Sequence, residues 1–264
     1  NCLPKILVPV HFAGQPTKQD RIWKLSKLYN FTVIEDASHS FGASYKSIKV
    51  GSCKWSHMTI FSFHPVKMIT TGEGGMVLTN NKKTANRIQM LRNSGITREK
   101  KLLKERNGGP WYYEQQMLGF NYRMTDIQAA LGISQLNKLN KFIKKRNAIA
   151  KRYDFLLKDL PIQLPFIEKY TISSFHLYVI RLKNQSSRSY KSIFSKLRRS
   201  GIGVNLHYLP VHLQPYYRLL GFKEGDFPIS ENYSSEALSL PMYYGLSESD
   251  QKKVVKQLTK IILK

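Results

Sequence analysis

The first third of the chain alternates short apolar runs with stretches of helical periodicity. The apolar runs of strand length are 5–10, 31–35, 58–63 and 76–79. Spacings of three and four residues between apolar positions predict helices at 17–29 and 82–91. The apolar face of the first helix is made of Ile22, Leu25, Leu28 and Tyr29. Strands that alternate with helices in this way predict an α/β fold, with a mainly parallel sheet covered by helices.

A long helical pattern follows in the middle of the chain. Residues 125–128 have the sequence TDIQ, which predicts a capping box with Thr125 as the N-cap and Gln128 as its partner. The apolar face that begins there extends towards Leu157. We therefore predict a helix from Thr125 that continues, with or without a kink, to the end of the first domain.

Two prolines, Pro161 and Pro165, mark a boundary after this helix. We predict a large domain at 1–158 and a smaller C-terminal α+β domain at 159–264. Within the smaller domain the pattern predicts strands at 175–182 and 203–209, a helix at 190–199 and a final helix that begins near 247–250.

Composition adds a strong positive charge to this picture. The chain of 264 residues has a formal net charge of +25, which raises the hypothesis of nucleic-acid binding. The lysines are spread along the helices and do not gather in one motif, which favours solvated faces or a lysine-rich genome. A nucleic-acid-binding or regulatory protein with a degenerate enzyme fold stays open as an alternative.

Other features of the composition concern the environment of the protein. Two cysteines, Cys2 and Cys53, show no metal-binding spacing and cannot form a disulfide framework. No apolar run approaches the roughly 20 residues of a membrane-spanning helix, and no signal-peptide core is present. We expect a cytoplasmic protein without a membrane partner. The chain begins without methionine at a strand-like segment, so we expect residues before Asn1.

Polar groups cluster where predicted strands end, which is where ligands bind in open parallel sheets. Asp36 follows the strand 31–35, Ser62 closes the strand 58–63, and Lys67 lies five residues beyond Ser62. Each has an ordinary explanation when taken alone. Lysines are mostly solvated, an aspartate after a strand often caps a helix or shapes a turn, and the glycines of TTGEGG are typical of turns.

Together these residue types meet the needs of one cofactor. Pyridoxal 5'-phosphate requires a lysine that forms a Schiff base, a carboxylate that keeps the ring nitrogen protonated, and donors for its phosphate. Lys67, Asp36 and Ser62 supply all three at neighbouring strand ends. This pattern favours pyridoxal-dependent chemistry.

Three blocks of sequence resemble one known family. EDASHSFGA, IFSFHPVKMITTGEGGMVLT and LGFNYRMTDIQAALGISQL are similar to the signature blocks of the DegT/DnrJ/EryC1/StrS sugar aminotransferases, which have fold type I of the pyridoxal enzymes. VPVHFAGQP and NLHYLPVH also resemble the transaminases of pseudaminic acid biosynthesis. The resemblance runs from the first strand to the C-terminus. It implies transfer of an amino group, with glutamate as the expected donor, to C4 of a UDP-linked 4-keto-6-deoxy sugar in the biosynthesis of cell-surface glycans.

The resemblance also implies roles for individual residues. Lys67 is expected to be the Schiff-base lysine and the base that moves the substrate proton. Asp36 is expected to pair with the ring nitrogen, His39 to lie beside the ring, and Ser62 to bind the phosphate. Asn121 of GFNYR is expected to reach that phosphate in the neighbouring subunit, which implies a homodimer with shared active sites.

Weaker expectations concern the substrate. Glu73, in its glycine-rich loop, is expected near the site, and His207 and Tyr208 of the smaller domain are expected to line the sugar or nucleotide side.

Glu35 is expected to point away from Asp36 through strand alternation. Lys67 itself favours transamination, since relatives that dehydrate a sugar have histidine at this position.

Members of this family carry a substantial N-terminal stretch before the equivalent of VPVHFAG. It supplies further strands, a phosphate cup at a helix N-terminus and an aromatic residue against the ring. Without it we expect this chain alone to bind the cofactor weakly or not at all and to expose apolar surface. A catalytically inactive scaffold that only assembles dimers is the third hypothesis.

Overall fold

A computed structural model of the chain describes residues 3–105, 108–183 and 187–263. Cys2 lies outside these residues, and Cys53 is a buried free thiol. The chain forms two compact units, one of Asn1–Phe12 and Pro16–Leu139, the other of Ala13–Gln15 and Asn140–Lys264. Among the described residues no helix combines the length and apolar character required to cross a membrane.

The first unit is built on a mixed sheet of four strands. The strands of this unit are β1 (Ile6–Leu7), β2 (Thr32–Asp36), β3 (Ser44–Tyr45), β4 (Ile48–Lys49), β5 (Met58–Ser62), β6 (Gly75–Leu78), β7 (Ile96–Thr97) and β8 (Glu114–Gln115). The sheet has the order β1-β2-β5-β6. Its first three strands are parallel, and β6 is antiparallel to β5. The predicted, mainly parallel sheet is confirmed.

The described residues of the first unit form three α-helices: α1 (Gln19–Tyr29), α2 (Lys82–Arg92) and α3 (Asp126–Leu136). Helices α1 and α2 were predicted within a few residues, and so was the start of α3. The capping box at α3 is present, since the side chain of Thr125 accepts from the amide of Gln128 and Gln128 bonds back to the N-cap. A turn then separates α3 from α4 (Leu139–Leu157), so the predicted long helix is two helices.

The apolar face predicted for α1 does not face the core. Leu28 is 70% exposed, and Leu25 and Tyr29 are also exposed. The buried positions of the helix are Gln19 and Ser26. The face that packs therefore combines Gln19 and Ser26 with the half-buried Ile22 and Trp23, and Gln19 takes part in a buried hydrogen-bond network described below. Helix α3 likewise carries exposed apolar residues, which are Ile127, Leu131, Ile133 and Leu136.

The second unit contains a two-stranded antiparallel sheet covered by helices. Its strands are β9 (Thr171–Ile172), β10 (Tyr178–Arg181) and β11 (Ala237–Leu240), and its helices are α4, α5 (Ser187–Arg199), α6 (Pro215–Leu219), α7 (Pro228–Glu236) and α8 (Glu248–Ile262). Strands β10 and β11 pair in the sheet. The strand predicted at 203–209 is wrong. Only Asn205 bridges to Ser239 there, because the following residues leave the sheet.

Helix α4 supplies much of the core of the second unit. Ile149, Tyr153 and Leu157 are fully buried on one face of α4, and they pack in the same cluster as Tyr178 and Leu238 of the sheet. The predicted domain boundary after residue 158 lies at the C-terminal end of α4, whereas the compact units divide at its beginning. The buried face of α4 explains why this helix groups with the residues that follow it.

Candidate active site

Strands β2 and β5 end side by side at one edge of the sheet. Asp36 pairs with Ile60 in their parallel register, and the amide of Ala37 donates to the carbonyl of Ile60 at 2.9 Å. On the other side, the amide of Asp36 donates to the carbonyl of Pro9 at 3.0 Å, and its carbonyl accepts from the amide of His11 at 3.0 Å. The backbone of Asp36 is therefore held from both neighbouring segments.

The Asp36 side chain shapes the turn after β2 and keeps one oxygen for other partners. It is half-buried, and its Oδ1 accepts from the amide of Ser38 at 3.0 Å. Within the described residues, Oδ2 accepts no hydrogen bond. His39 follows in the same turn, where its ring is buried with its centroid 6.0 Å from that of Phe12. Asp36 is thus a turn residue and a carboxylate available to a ligand.

Lys67 lies in the loop between β5 and β6. Its backbone amide donates to the carbonyl of His64 at 3.0 Å, and its side chain is half-buried. Burial lowers the pKa of Lys67, while the charge of Asp36 opposes this effect. The structure therefore brings Asp36 and Lys67 within electrostatic range of each other. A lowered pKa increases the fraction of free amine at neutral pH, which makes a lysine more nucleophilic.

Ser62 is the last residue of β5 and comes between Asp36 and Lys67 in the sequence. Its hydroxyl is half-buried and accepts from the amide of His64 at 3.4 Å. The loop that follows is tied back to β5, because the amide and carbonyl of Phe63 bond to Gly74 and Thr71 at 2.8 and 3.0 Å. Ser62 and Lys67 therefore share one short loop with both ends fixed.

Glu73 is positioned in that loop through its backbone. Its carbonyl accepts from Gln128 Nε2 at 2.9 Å and from Thr71 Oγ1 at 2.8 Å. Its carboxylate is largely exposed and lies 3.8 Å from His64 Nε2. The next residue, Gly74, has no room for a side chain, since an added Cβ would lie 2.3 Å from Thr71 Oγ1. The predicted loop near the site is present, and the function of the Glu73 carboxylate stays a prediction.

Asn121 lies on an exposed stretch of the first unit. Its backbone forms an isolated β-bridge with Asn93. The neighbouring side chains of Phe120 and Tyr122 are exposed, and their rings stack with centroids 4.8 Å apart. Among the described residues, Asn121 forms no hydrogen bond with Ser62. Its predicted contact with a phosphate in a neighbouring subunit stays a prediction.

His207 and Tyr208 belong to the second unit. His207 Nδ1 is 2.8 Å from Ser239 Oγ. The peptide bond between His207 and Tyr208 is cis. Partial burial raises the pKa of Tyr208, although half of its surface is exposed. The predicted role of these residues on the substrate side stays a prediction.

The face of β2 opposite to Asp36 carries a buried polar network that we did not predict from the sequence. Glu35 is 1% exposed, and its carboxylate accepts from Gln19 Nε2, from Thr59 Oγ1 at 2.8 Å and from Ser56 Oγ at 3.2 Å. His11, fully buried, places its Nε2 3.7 Å from the same carboxylate. Glu35 does point away from Asp36, as predicted, but it is the centre of this network and not an incidental result of strand alternation.

The network favours the ionised form of Glu35. Burial by itself would raise the pKa of Glu35, but the nearby imidazole of His11 and the hydrogen bonds from Thr59 and Gln19 outweigh burial and lower the pKa. Glu35 is therefore held as a carboxylate directly behind Asp36. The signal in the sequence was an acidic residue at an inward position of a buried strand, which requires partners.

The chain is similar to known proteins along nearly its whole length. A family model described as the DegT/DnrJ/EryC1/StrS aminotransferase family matches residues 3–259. Protein MJ1066 of Methanocaldococcus jannaschii is 40% identical over 98% of this chain and 67% of its own length. The UDP-4-amino-4,6-dideoxy-N-acetyl-beta-L-altrosamine transaminase of Campylobacter jejuni is 39% identical over 97% of this chain and 65% of its own length. The chain thus spans about two thirds of these relatives.

Solved structures give the same result for the fold. The PLP form of a sugar aminotransferase, Spr1654 of Streptococcus pneumoniae, superposes with a TM-score of 0.88 at 27% identity and covers 98% of this chain and 68% of that one. PseC of Helicobacter pylori, described as an aminotransferase in pseudaminic acid biosynthesis, gives a TM-score of 0.88 at 30% identity, over 97% of this chain and 66% of that one. The predicted fold class is confirmed by these neighbours.

Proposed function

The chain belongs to the DegT/DnrJ/EryC1/StrS aminotransferase family, and from this premise we propose that Lys67 and Asp36 form the pyridoxal-binding centre of a sugar aminotransferase. The observation that carries the proposal is that the Asp36 carboxylate, at the end of β2, acts electrostatically on the half-buried amine of Lys67, which lies in the loop after the adjacent strand β5. Neither residue alone would distinguish an enzyme from an ordinary turn.

The residues present fit pyridoxal 5'-phosphate in their chemistry. When bound, the cofactor supplies an electron-withdrawing ring that stabilises negative charge at the amino-bearing carbon. Lys67 provides an amine with a lowered pKa, which suits both nucleophilic attack and later proton transfer. Asp36 offers Oδ2, which accepts no hydrogen bond in the described part of the chain, to the protonated ring nitrogen, and Ser62 offers a hydroxyl to the phosphate. The PLP form of the neighbour Spr1654 supports this choice of cofactor.

The substrate side of the proposal is supported by similarity. We propose a nucleotide-linked 4-keto-6-deoxy sugar, most simply a UDP-sugar aminated at C4, as acceptor. The Campylobacter transaminase is named after a UDP-linked amino sugar, and PseC is described as an aminotransferase involved in pseudaminic acid biosynthesis. Glutamate as amino donor, a homodimer with Asn121 shared between sites, and a cytoplasmic role in cell-surface glycan biosynthesis complete the proposal.

Covalent trapping tests the lysine directly. The chain is incubated with pyridoxal 5'-phosphate, reduced with borohydride and digested, and the modified peptides are mapped by mass spectrometry. We expect dominant modification of Lys67 and its loss in Lys67→Ala. Lys82→Ala, which removes an exposed lysine at the start of α2, is the matched control and should leave labelling unchanged.

Because borohydride trapping is irreversible, weak binding of the cofactor is sufficient for this experiment. Labelling spread over exposed lysines, with Lys67 no more modified than Lys82, would contradict the proposal. An assay of glutamate-dependent amination across several UDP-linked 4-keto sugars then tests the substrate.

A further inference from the structure

The segment between β1 and α1 holds the backbone of Asp36 at the end of β2. The amide of Asp36 donates to the carbonyl of Pro9, and its carbonyl accepts from the amide of His11, both at 3.0 Å. Through these two bonds Val10 and Asp36 form a parallel bridge. The position of the Asp36 carboxylate therefore depends on where residues 9–11 lie.

The imidazole ring of His11 holds this segment in the interior. The ring is fully buried, and its Nδ1 accepts from the amide of Thr17 at 3.2 Å. Because Nδ1 acts as an acceptor, the nitrogen that carries the ring proton is Nε2. Nε2 lies 3.7 Å from Oε1 of Glu35. The ring thus joins the segment before α1 to the carboxylate on β2.

The Glu35 carboxylate is itself fixed by several donors. It accepts from Thr59 Oγ1 at 2.8 Å, from Ser56 Oγ at 3.2 Å and from Gln19 Nε2. Glu35 and Thr59 are also partners in the parallel register of β2 and β5. These bonds hold the carboxylate against β5 and α1, so it provides a rigid contact for His11.

This network lies directly behind Asp36 and is costly to bury. A buried carboxylate is unfavourable unless several donors satisfy it, and well-packed apolar side chains often replace buried ion pairs without loss of stability. Packing alone therefore does not require Glu35 and His11. Glu35 precedes Asp36 in β2, and His11 donates its amide to Asp36. Such an arrangement is typical of side chains that support a functional group from behind.

We propose that Glu35 and His11 are positioning residues that hold the Asp36 carboxylate in place relative to Lys67. Glu35 fixes the ring of His11, the ring fixes the backbone of residues 9–11, and the backbone bonds fix Asp36. The importance of this placement for the cofactor rests on the proposed function, in which Asp36 is the partner of the ring nitrogen. The placement itself is a property of the chain without cofactor.

The titration of Lys67 in the cofactor-free protein reports where the Asp36 charge lies. The charge of Asp36 opposes the lowering of the Lys67 pKa by burial, so a displaced Asp36 lets the titration move to lower pH. His11→Asn keeps an acceptor in the place of Nδ1 but has no group that reaches Glu35. We expect NMR of the reductively methylated protein to show this shift in His11→Asn, smaller than in Asp36→Asn. His11→Gln, whose amide reaches as far as Nε2, should restore the original titration.

Two controls separate positioning from a general loss of structure. Ser56→Ala removes a hydrogen bond to the same carboxylate but leaves the His11 contact in place. It should lower the free energy of unfolding without moving the Lys67 titration. On the Asp36→Asn background, His11→Asn should cause no further shift, because the effect passes through Asp36.

Glu35→Gln is the second variant, and it keeps the test decisive if His11→Asn does not fold. We expect it to shift the titration of Lys67 to lower pH, and this shift should also vanish on the Asp36→Asn background. An unchanged titration, an equal shift in Ser56→Ala or an undiminished shift on the Asp36→Asn background overturns the proposal. The titration contains no cofactor, so labelling of Lys67 and the positioning of Asp36 can each fail alone.

Discussion

Burial lowers the pKa of Lys67, and the negative charge of Asp36 opposes this shift, so the two residues interact electrostatically at the carboxyl edge of the sheet. Asp36 is fixed at the end of β2, and Lys67 is carried by the loop after β5. This relationship links one strand end to a loop 31 residues later in the sequence. It is the feature from which a pyridoxal site follows.

Removal of the Asp36 charge should lower the pKa of Lys67 further. Asp36→Asn keeps the shape of the side chain but deletes the opposing charge, so burial acts alone. We expect the titration of Lys67, followed by NMR of the reductively methylated protein, to move to lower pH.

Asp20→Asn is a matched control for this experiment. Its carboxylate lies 2.6 Å from Lys46 Nζ and raises the pKa of Lys46. In Asp20→Asn the pKa of Lys46 should fall and that of Lys67 should not move. An unchanged Lys67 titration in Asp36→Asn would contradict the geometry.

The buried carboxylate of Glu35 should make stability depend on pH in the acid range. Its folded pKa is lower than the ordinary value of 4.5, so its contribution is complete above that value and is lost as the pH falls through the folded pKa. Urea unfolding at several pH values should show a loss of stability below about pH 4.5 that Glu35→Gln reduces. Parallel pH profiles for the two proteins would exclude this role.

Gly74→Ala should disturb the loop that carries Lys67. The new Cβ would lie 2.3 Å from Thr71 Oγ1, whose hydroxyl donates to the carbonyl of Glu73. We expect a loss of about 1–3 kcal/mol of unfolding free energy from overpacking and weaker labelling of Lys67. Gly203→Ala is the control, because an added Cβ there meets nothing within 4 Å. Equal effects of the two substitutions would argue against a positioned loop.

Arg146 should be essential to the second unit. It is buried, its pKa is lowered to about 10 by burial, and its Nη1 donates to the carbonyls of Phe175 and Met242 at 2.9 and 3.0 Å. Arg146→Leu leaves these acceptors unsatisfied, and we expect it to lower the unfolding free energy by about 3 kcal/mol. Lys144→Leu changes the same charge at an exposed position of α4 and should be near neutral in urea unfolding.

The sequence predicted those parts of the fold that have long periodic patterns. Helices α1, α2, α3 and α8 and the parallel sheet were found because each repeats its pattern over several residues. Strands of two residues, such as β3 and β7, carry no period at all. The segment 203–209 has an apolar pattern typical of a strand, but only Asn205 pairs, since pairing depends on tertiary partners that a local pattern does not contain.

The candidate site was predictable for a related reason. Asp36, Ser62 and Lys67 follow predicted parallel strands, and the carboxyl ends of such strands meet at one edge. The Glu35 network was missed because its partners, His11, Gln19 and Thr59, come from a loop, from α1 and from β5, which are far apart in the sequence. The face of α1 was misjudged for the same reason, since Gln19 is buried by a hydrogen bond and not by hydrophobicity.

The structure of the protein after trapping with pyridoxal 5'-phosphate and borohydride is the most direct measurement of the central claim. We predict continuous density between Lys67 Nζ and the cofactor, with a carboxylate oxygen of Asp36 at hydrogen-bond distance from the ring nitrogen. A cofactor attached to another lysine, or a ring nitrogen with no contact to Asp36, would contradict it.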